Sequence, residues 1–228
     1  ARDAGIPVIG FDSGVPDAPE GSIVSTASTN NYAAGELAAE EMFAEPSFKE
    51  RLEAATPANP VTIAVQSQDA TSASILDRTN GFIDKMLVLA EGVHPDGVEV
   101  TGHYVFNQSA ASDVAGSIKV TVPPSTDYTD AQNAAQTMLS NTSNLIGYFV
   151  SNEASVTGIL AATNDGTDLD RENGKYKDLI VVCFDAGAPQ KTAVENNYFY
   201  GSVTQDPYMI GYLAVELAVK AVRGETVD

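Results

Sequence analysis

The chain has 228 residues, 43% of them hydrophobic, enough to bury a substantial core as one large domain or two modest ones. Asp and Glu total 31 against 12 Lys and Arg, a formal charge of −19. That balance argues against nucleic acid or an anionic membrane as a direct partner, since both need a basic footprint. The lone Cys183 excludes an internal disulfide, and no apolar run is long enough to span a bilayer.

The opening stretch ARDAGIPVIG carries no signal-peptide pattern and reads as a helix end, a Gly stop and a strand, as if the sequence begins inside a fold. Apolar strand candidates then fall at 6–11, 22–25, 61–66, 98–106, 117–122, 144–150, 179–184 and 199–204. Helical spacing marks 31–45, with Thr29 or Asn30 as cap, and 72–92, ending at Gly92. It also marks 129–141, 153–164, 189–197 and 207–224, the last two with Pro in the first turn. Short buried strands alternating with helices predict an α/β fold, a doubly wound and mostly parallel sheet. One departure breaks the rhythm. Residues 98–122 read as strand, polar loop, strand with no helix between, and a hairpin insertion is the simplest reading.

Two strands end on the same device. IPVIGFDSGVP (6–16) and LIVVCFDAGAP (179–189) each run apolar residues into Phe-Asp-x-Gly. In open α/β sheets ligands bind beyond the carboxyl ends of the strands, and a carboxylate there needs a partner if it is desolvated. The bland alternative is a helix N-cap. It fits Asp185 poorly, because Pro189 is the natural first-turn residue and the cap should fall nearer Ala188; Asp12 has the same offset from Pro16.

Other polar groups stand at equivalent places. Asn152 follows the strand of NLIGYFVSNEAS, Gln205 that of YGSVTQDPYMIGY, and Arg78 lies on the helix after VTIAVQSQDATSASILDRTNGF. Two carboxylates, two amides and a guanidinium suit a neutral polyhydroxylated ligand, since carboxylates accept from hydroxyls, Arg donates as a fork and amides do both. No nucleophile has a base beside it, so the set suits holding and the chain is not expected to be an enzyme.

Several constellations carry less. Asp165, Asp168 and Asp170 lack calcium-loop spacing. His94 and His103 have no metal-spaced companions. Phosphate-binding glycine loops and the G-x-S-x-G elbow are absent. Cys183 reads as a buried, inert thiol, and Tyr128, Tyr148 and Tyr198 are possible stacking residues that read first as core. No cofactor or metal is expected.

The order of IPVIGFDSG, STNNYAAGELAAE, LDRTNGF, FVSNEA, LIVVCFDAG and GSVTQDPYMIGYLAVE resembles the type I periplasmic sugar-binding proteins, the ribose and galactose group. The effector cores of LacI/GalR repressors are similar to these. The resemblance covers nearly all of the chain and implies two Rossmann-like lobes joined by a hinge that close on a sugar. It implies that residues 28–205, with an insertion at about 98–122, form the C-terminal lobe, and that 1–27 and 206–228 are the remnant of an incomplete N-terminal lobe. Asp12 matches the family's first-lobe carboxylate and Arg78 its sugar-clamping Arg. Asn152 matches the amide after its strand, Asp185 the second carboxylate and Gln205 the hinge amide. The implied protein is an extracytoplasmic component of an ABC importer, in the periplasm or as a cell-surface lipoprotein. Its partners would be a monosaccharide or similar polyol and a membrane permease, with no nucleic acid, and it would be a monomer. The alternative is the effector-binding core of a LacI/GalR-like transcription regulator.

Overall fold

The structure, a computed structural model, describes residues 1–15 and 17–227, and only the backbone of Arg2. The expected alternation is present. Strands β1 (Ile9–Phe11) and β2 (Ser25–Ala27) form a parallel pair. Helices α1 (Asn31–Ala44) and α2 (Pro46–Glu53), strand β3 (Val61–Gln66) and helix α3 (Ala73–Glu91) follow. Next come β4 (Val98–Thr101), β5 (Gly116–Thr121), α4 (Tyr128–Asn141), β6 (Leu145–Val150) and α5 (Glu153–Ala162). The chain continues through β7 (Ile180–Phe184), α6 (Ala188–Glu195), β8 (Gly201–Val203) and α7 (Pro207–Val222).

Strands β3 to β8 make one six-stranded sheet, in the order β4-β5-β3-β6-β7-β8, with every pairing parallel. All five residues of β7 are buried, as expected for a strand covered on both faces. One face packs on α1, α2 and α3 through Phe48, Phe82 and Phe149, the last two stacked at 4.2 Å. The other packs on α4, α5 and α6 through Val156, Ile159 and Phe199. Tyr148 is wholly buried there and donates its hydroxyl to Gln66 at 2.8 Å. Tyr198 packs against the same cluster, whereas Tyr128 is exposed. Burial pushes the Cys183 thiol up to about 12, which keeps it protonated and inert.

The hairpin expected at 98–122 is corrected. β4 and β5 lie side by side, but parallel, with Val98 opposite Gly116 and Thr101 opposite Lys119. The connection 102–115 is long enough to carry the chain back to the starting end of β4. It runs beside β4, where Val100 and Gln108 exchange backbone hydrogen bonds at 2.8 and 2.9 Å. β5 must also pair with β3 along its whole length, and that second neighbour sets its direction.

Helix α2 falls outside the segments expected to be helical, and it is held by its entry. Glu45 is its N-cap, accepting from Phe48 N at 2.8 Å and Ser47 Oγ at 2.6 Å, and its other oxygen pairs with Arg171 at 2.8 Å. Burial would raise the Glu45 pKa, but the hydrogen bonds from Ser47, Arg171 and the Phe48 amide outweigh it and hold the carboxyl below the usual range.

Helices α1 and α3 cross at two glycines. A Cβ on Gly35 would lie 2.1 Å from Arg78 O, and one on Gly81 2.1 Å from Tyr32 O. Both glycines lie within the quoted segments STNNYAAGELAAE and LDRTNGF, and they allow the backbones to touch where Arg78 must reach α1. Gly81→Ala forces the helices apart; thermal unfolding should show a loss of roughly 1–3 kcal/mol, a fall in Tm of several degrees. Glu45→Gln should lower stability by about 1 kcal/mol at neutral pH. Because the folded pKa is depressed, that deficit is full above the unfolded value and closes as pH falls through the folded one; denaturation midpoints between neutral and acid pH read it directly.

Candidate functional site

The two Phe-Asp strand ends are built alike. Asp12 N donates to Ala27 O, and Asp185 N to Val203 O, each at 2.9 Å, so each Asp adds one rung to the parallel ladder after its strand has ended. Both then take the left-handed conformation, φ 66° at Asp12 and 79° at Asp185. Asp tolerates this region better than other side-chain-bearing residues apart from Asn. The chain turns out of the sheet there and leaves the carboxylate at its end. Asp185 does not cap the helix after its strand. The cap of α6 is Gly187, and Pro189 sits in its first turn; the offset of Asp12 from Pro16 lies outside the described residues.

Asp12 and Asp185 face one cavity of about 270 Å³, lined also by Glu153, Ala186, Gln205, Pro207 and Ile210. Three of the five expected residues therefore share a wall. Asp185 is firmly held. Its Oδ1 accepts from Gln205 Nε2 at 2.6 Å, its Oδ2 accepts from the Glu153 backbone amide at 3.1 Å, and Arg78 Nη1 stands 3.9 Å from Oδ1. The Glu153 amide is the first of α5, so the helix end adds its partial positive charge to that of the guanidinium. Gln205 is held in turn, its Oε1 accepting from Thr29 Oγ1 at 2.8 Å.

Arg78 and Asn152 stand behind that wall. The Arg78 side chain is 4% exposed, and its Cζ lies over the Phe184 ring, 3.8 Å from the centroid. Its Nε and Nη2 both donate to Asn31 Oδ1, at 3.2 and 2.7 Å, and Nη1 donates to Ser151 O at 3.0 Å. Burial lowers the guanidinium pKa, and the charges of Asp185 and Asp12 oppose the shift. Most of the fork is spent inside the protein, so Arg78 acts on the cavity through Asp185. Asn152 caps α5, accepting from Ser155 N at 3.1 Å, and donates its amide to Gln68 Oε1.

Sequence reasoning missed Asn31, Thr29 and Glu153. Asn31 is buried beside the helix cap, which is its neighbour Asn30, accepting from Ala33 N at 3.1 Å. Glu153 reads as an ordinary first-turn acid; no signal in the sequence turns it toward Asp185. The Asp165–Asp170 loop is structural, with Asp170 accepting from the amides of Asn173 and Glu172, which hold it below the usual carboxylate range. His94 Nε2 is 2.7 Å from Leu52 O. Among the described residues no group of three metal-ligating side chains converges, and no helix is long and apolar enough to cross a membrane.

Arg78→Ala would strip Asp185 and Asn31 of a buried cation at once. It should cost about 3 kcal/mol in denaturant titration. Arg78→Lys should recover little of that, because an ammonium cannot span Asn31 and Ser151 as the planar fork does.

The family described as a periplasmic binding protein domain matches residues 1–226. Comparison with curated proteins gives no match. Among solved structures, an ABC transporter, LacI family transcriptional regulator from Brachyspira murdochii is 35% identical with a TM-score of 0.77, over 99% of this chain and 66% of its own. A periplasmic component of an ABC-type sugar transport system from Hahella chejuensis is 23% identical with a TM-score of 0.72, over 100% of this chain and 67% of its own. An ABC transporter solute-binding protein from Agrobacterium vitis, solved with D-fucose, is 22% identical with a TM-score of 0.70, over 99% of this chain and 63% of its own. The chain thus spans about two thirds of the length of these proteins. With a doubly wound parallel sheet, carboxylates at matching strand ends and a family match over nearly every residue, the chain belongs to the periplasmic binding proteins and has their type I fold.

Proposed function

We propose that the protein is the extracytoplasmic solute-binding component of an ABC importer and grips a monosaccharide or similar polyol between two lobes, without catalysing a reaction. The observation that carries this reading is the meeting of Asp12 and Asp185 at one cavity, from strands of two different sheets. Asp185 is held rigid by Gln205, the α5 amide and Arg78, which leaves the rest of its lone pairs to accept ligand hydroxyls. The Asp12 carboxylate accepts no hydrogen bond from any described residue, so its acceptors are free for the ligand.

On this reading residues 28–205 are the C-terminal lobe, and residues 1–27 with 206–228 belong to the other. Helix α7 packs on β1 and β2 but leaves an apolar groove of about 490 Å³ open, lined by Ile9, Ala214, Val215, Ala218, Val219 and Val222 with Arg223. Such a face fits a lobe that is larger than the part present here. The Thr29–Gln205 hydrogen bond ties the two crossing segments together next to Asp185. Ligand held at Asp185 would therefore act on the hinge, and the closed form would dock on the permease.

A second reading, the effector core of a sugar-responsive regulator, is favoured by the name of the 35% identical Brachyspira protein. The charge of −19 weighs against it. Ligand-dependent DNA binding by the intact protein would reverse that order.

Calorimetric titration of the intact protein with pentoses and hexoses should give saturable binding. Asp185→Asn should weaken it roughly ten- to hundredfold, the loss expected for one hydrogen bond to a charged acceptor. Binding of amino acids or nucleosides in place of every sugar would overturn the proposal.

A further inference from the structure

The two strand ends differ at one position. Phe-Asp-Ser-Gly ends β1 and Phe-Asp-Ala-Gly ends β7, so Ser13 stands where Ala186 stands in the other. Asp185 bends at φ 79° with alanine after it, and the bend therefore needs no hydroxyl. Ser13 uses its hydroxyl elsewhere. Its Oγ accepts from the backbone amide of Ser74 at 3.3 Å and lies 3.5 Å from Ser72 Oγ. Gly14 follows against the same turn, where a Cβ would lie 3.8 Å from Ala73 Cβ.

The Ser74 amide belongs to the first turn of α3, and Ser74 is buried. A buried first-turn amide needs an acceptor, which is ordinarily the side chain of the N-cap residue. Ser72 is the N-cap of α3, yet its side chain makes no capping bond. Asp69 accepts from the amides of Thr71 and Ser72, which precede the helix. Ser13, 61 residues earlier in the chain, supplies the missing cap. It does so from the segment 1–27 that the reading above assigns to the other lobe.

The same contact bears on Asp12. Ser13 N donates to Phe11 O at 2.8 Å, which makes Asp12 the middle of a three-residue turn at φ 66°. Such a turn is strained and persists where its flanks are tied down. The bond from Asp12 N to Ala27 O ties one flank, and the α3 amide ties the other through Ser13.

We propose that Ser13 is a positioning residue of the ligand site, which caps α3 across the cleft and so holds the Asp12 carboxylate at the cavity and the two lobes together. The inference rests on the sugar-binding reading above. Ser13 is not among the residues that line the cavity, so it acts on the ligand through Asp12 and through closure. A local role, sealing the end of α3, predicts lower stability with no change in how far apart the lobes stand.

The test uses the intact protein with spin labels at Tyr104→Cys and Glu225→Cys. Tyr104 is exposed and follows β4, at the sheet edge opposite β8, and Glu225 is exposed beyond α7. Cys183, buried and protonated, takes no label. Electron–electron resonance reads the distances between lobes, and stopped-flow displacement reads dissociation of whichever of glucose, galactose, ribose and arabinose binds best. Ser13→Ala should shift the ligand-free protein toward longer distances and weaken sugar binding about fivefold, the factor for one helix cap, through faster dissociation. Ser13→Thr, which keeps the hydroxyl, should restore both. Lower stability with unchanged distances and affinity would overturn the inference and leave the sugar-binding reading standing. Weaker binding with unchanged distances would overturn it too, by making Ser13 a direct ligand contact. If none of the four sugars nor any other binds, the sugar-binding reading fails; the ligand-free distances then decide this inference separately, a shift with Ser13→Ala supporting it and none overturning it.

Discussion

The site depends on one buried cation. Arg78 is removed from water, which is costly for a guanidinium unless its donors and charge are met. Asn31 and the Ser151 carbonyl meet the donors, Asp185 meets the charge, and the Phe184 ring lies against the guanidinium carbon. These partners come from α1, the end of β6 and the end of β7. Arg78 thus fixes three elements relative to α3, and the carboxylate it pairs with also faces the cavity.

That arrangement is possible only because α1 and α3 touch. Gly35 and Gly81 remove the side chains that would separate them, and the contact is between backbones. Asn31, at the first turn of α1, then falls within reach of a residue on α3. Close helix packing and the orientation of the Asp185 carboxylate are two consequences of the same pair of glycines.

The second carboxylate is placed without such support. Asp12 ends a short strand in a two-stranded sheet, repeats the ladder bond and left-handed bend of Asp185, and forms no ion pair with a described residue. One carboxylate is rigid and the other is exposed, and they belong to different sheets that meet at the cavity. This difference suits the proposed site, in which two lobes approach each other.

The sequence by itself determined the alternation of strands and helices, because each element carries its own hydrophobic period and its own stop. Seven of the eight strands and six of the seven helices are legible in that way, as are the prolines of α6 and α7, whereas the second strand falls at Ser25–Ala27 and not at 22–25, and the cap left between Thr29 and Asn30 is Asn30. The pairing of Asp12 with Asp185 as matching strand ends is legible too, since the ladder bond and left-handed bend follow from a local pattern. Tertiary structure alone decided the rest. Helix α2 is held by Glu45 and Arg171, 126 residues apart. The direction of β5 was set by its second neighbour, β3, and not by the loop before it. Arg78 and Asn152 stand behind the cavity wall and Glu153 lines it, because facing depends on which helices touch. Hydrophobic period is a property of adjacent residues, whereas the partner of a buried charge is a property of the packed whole.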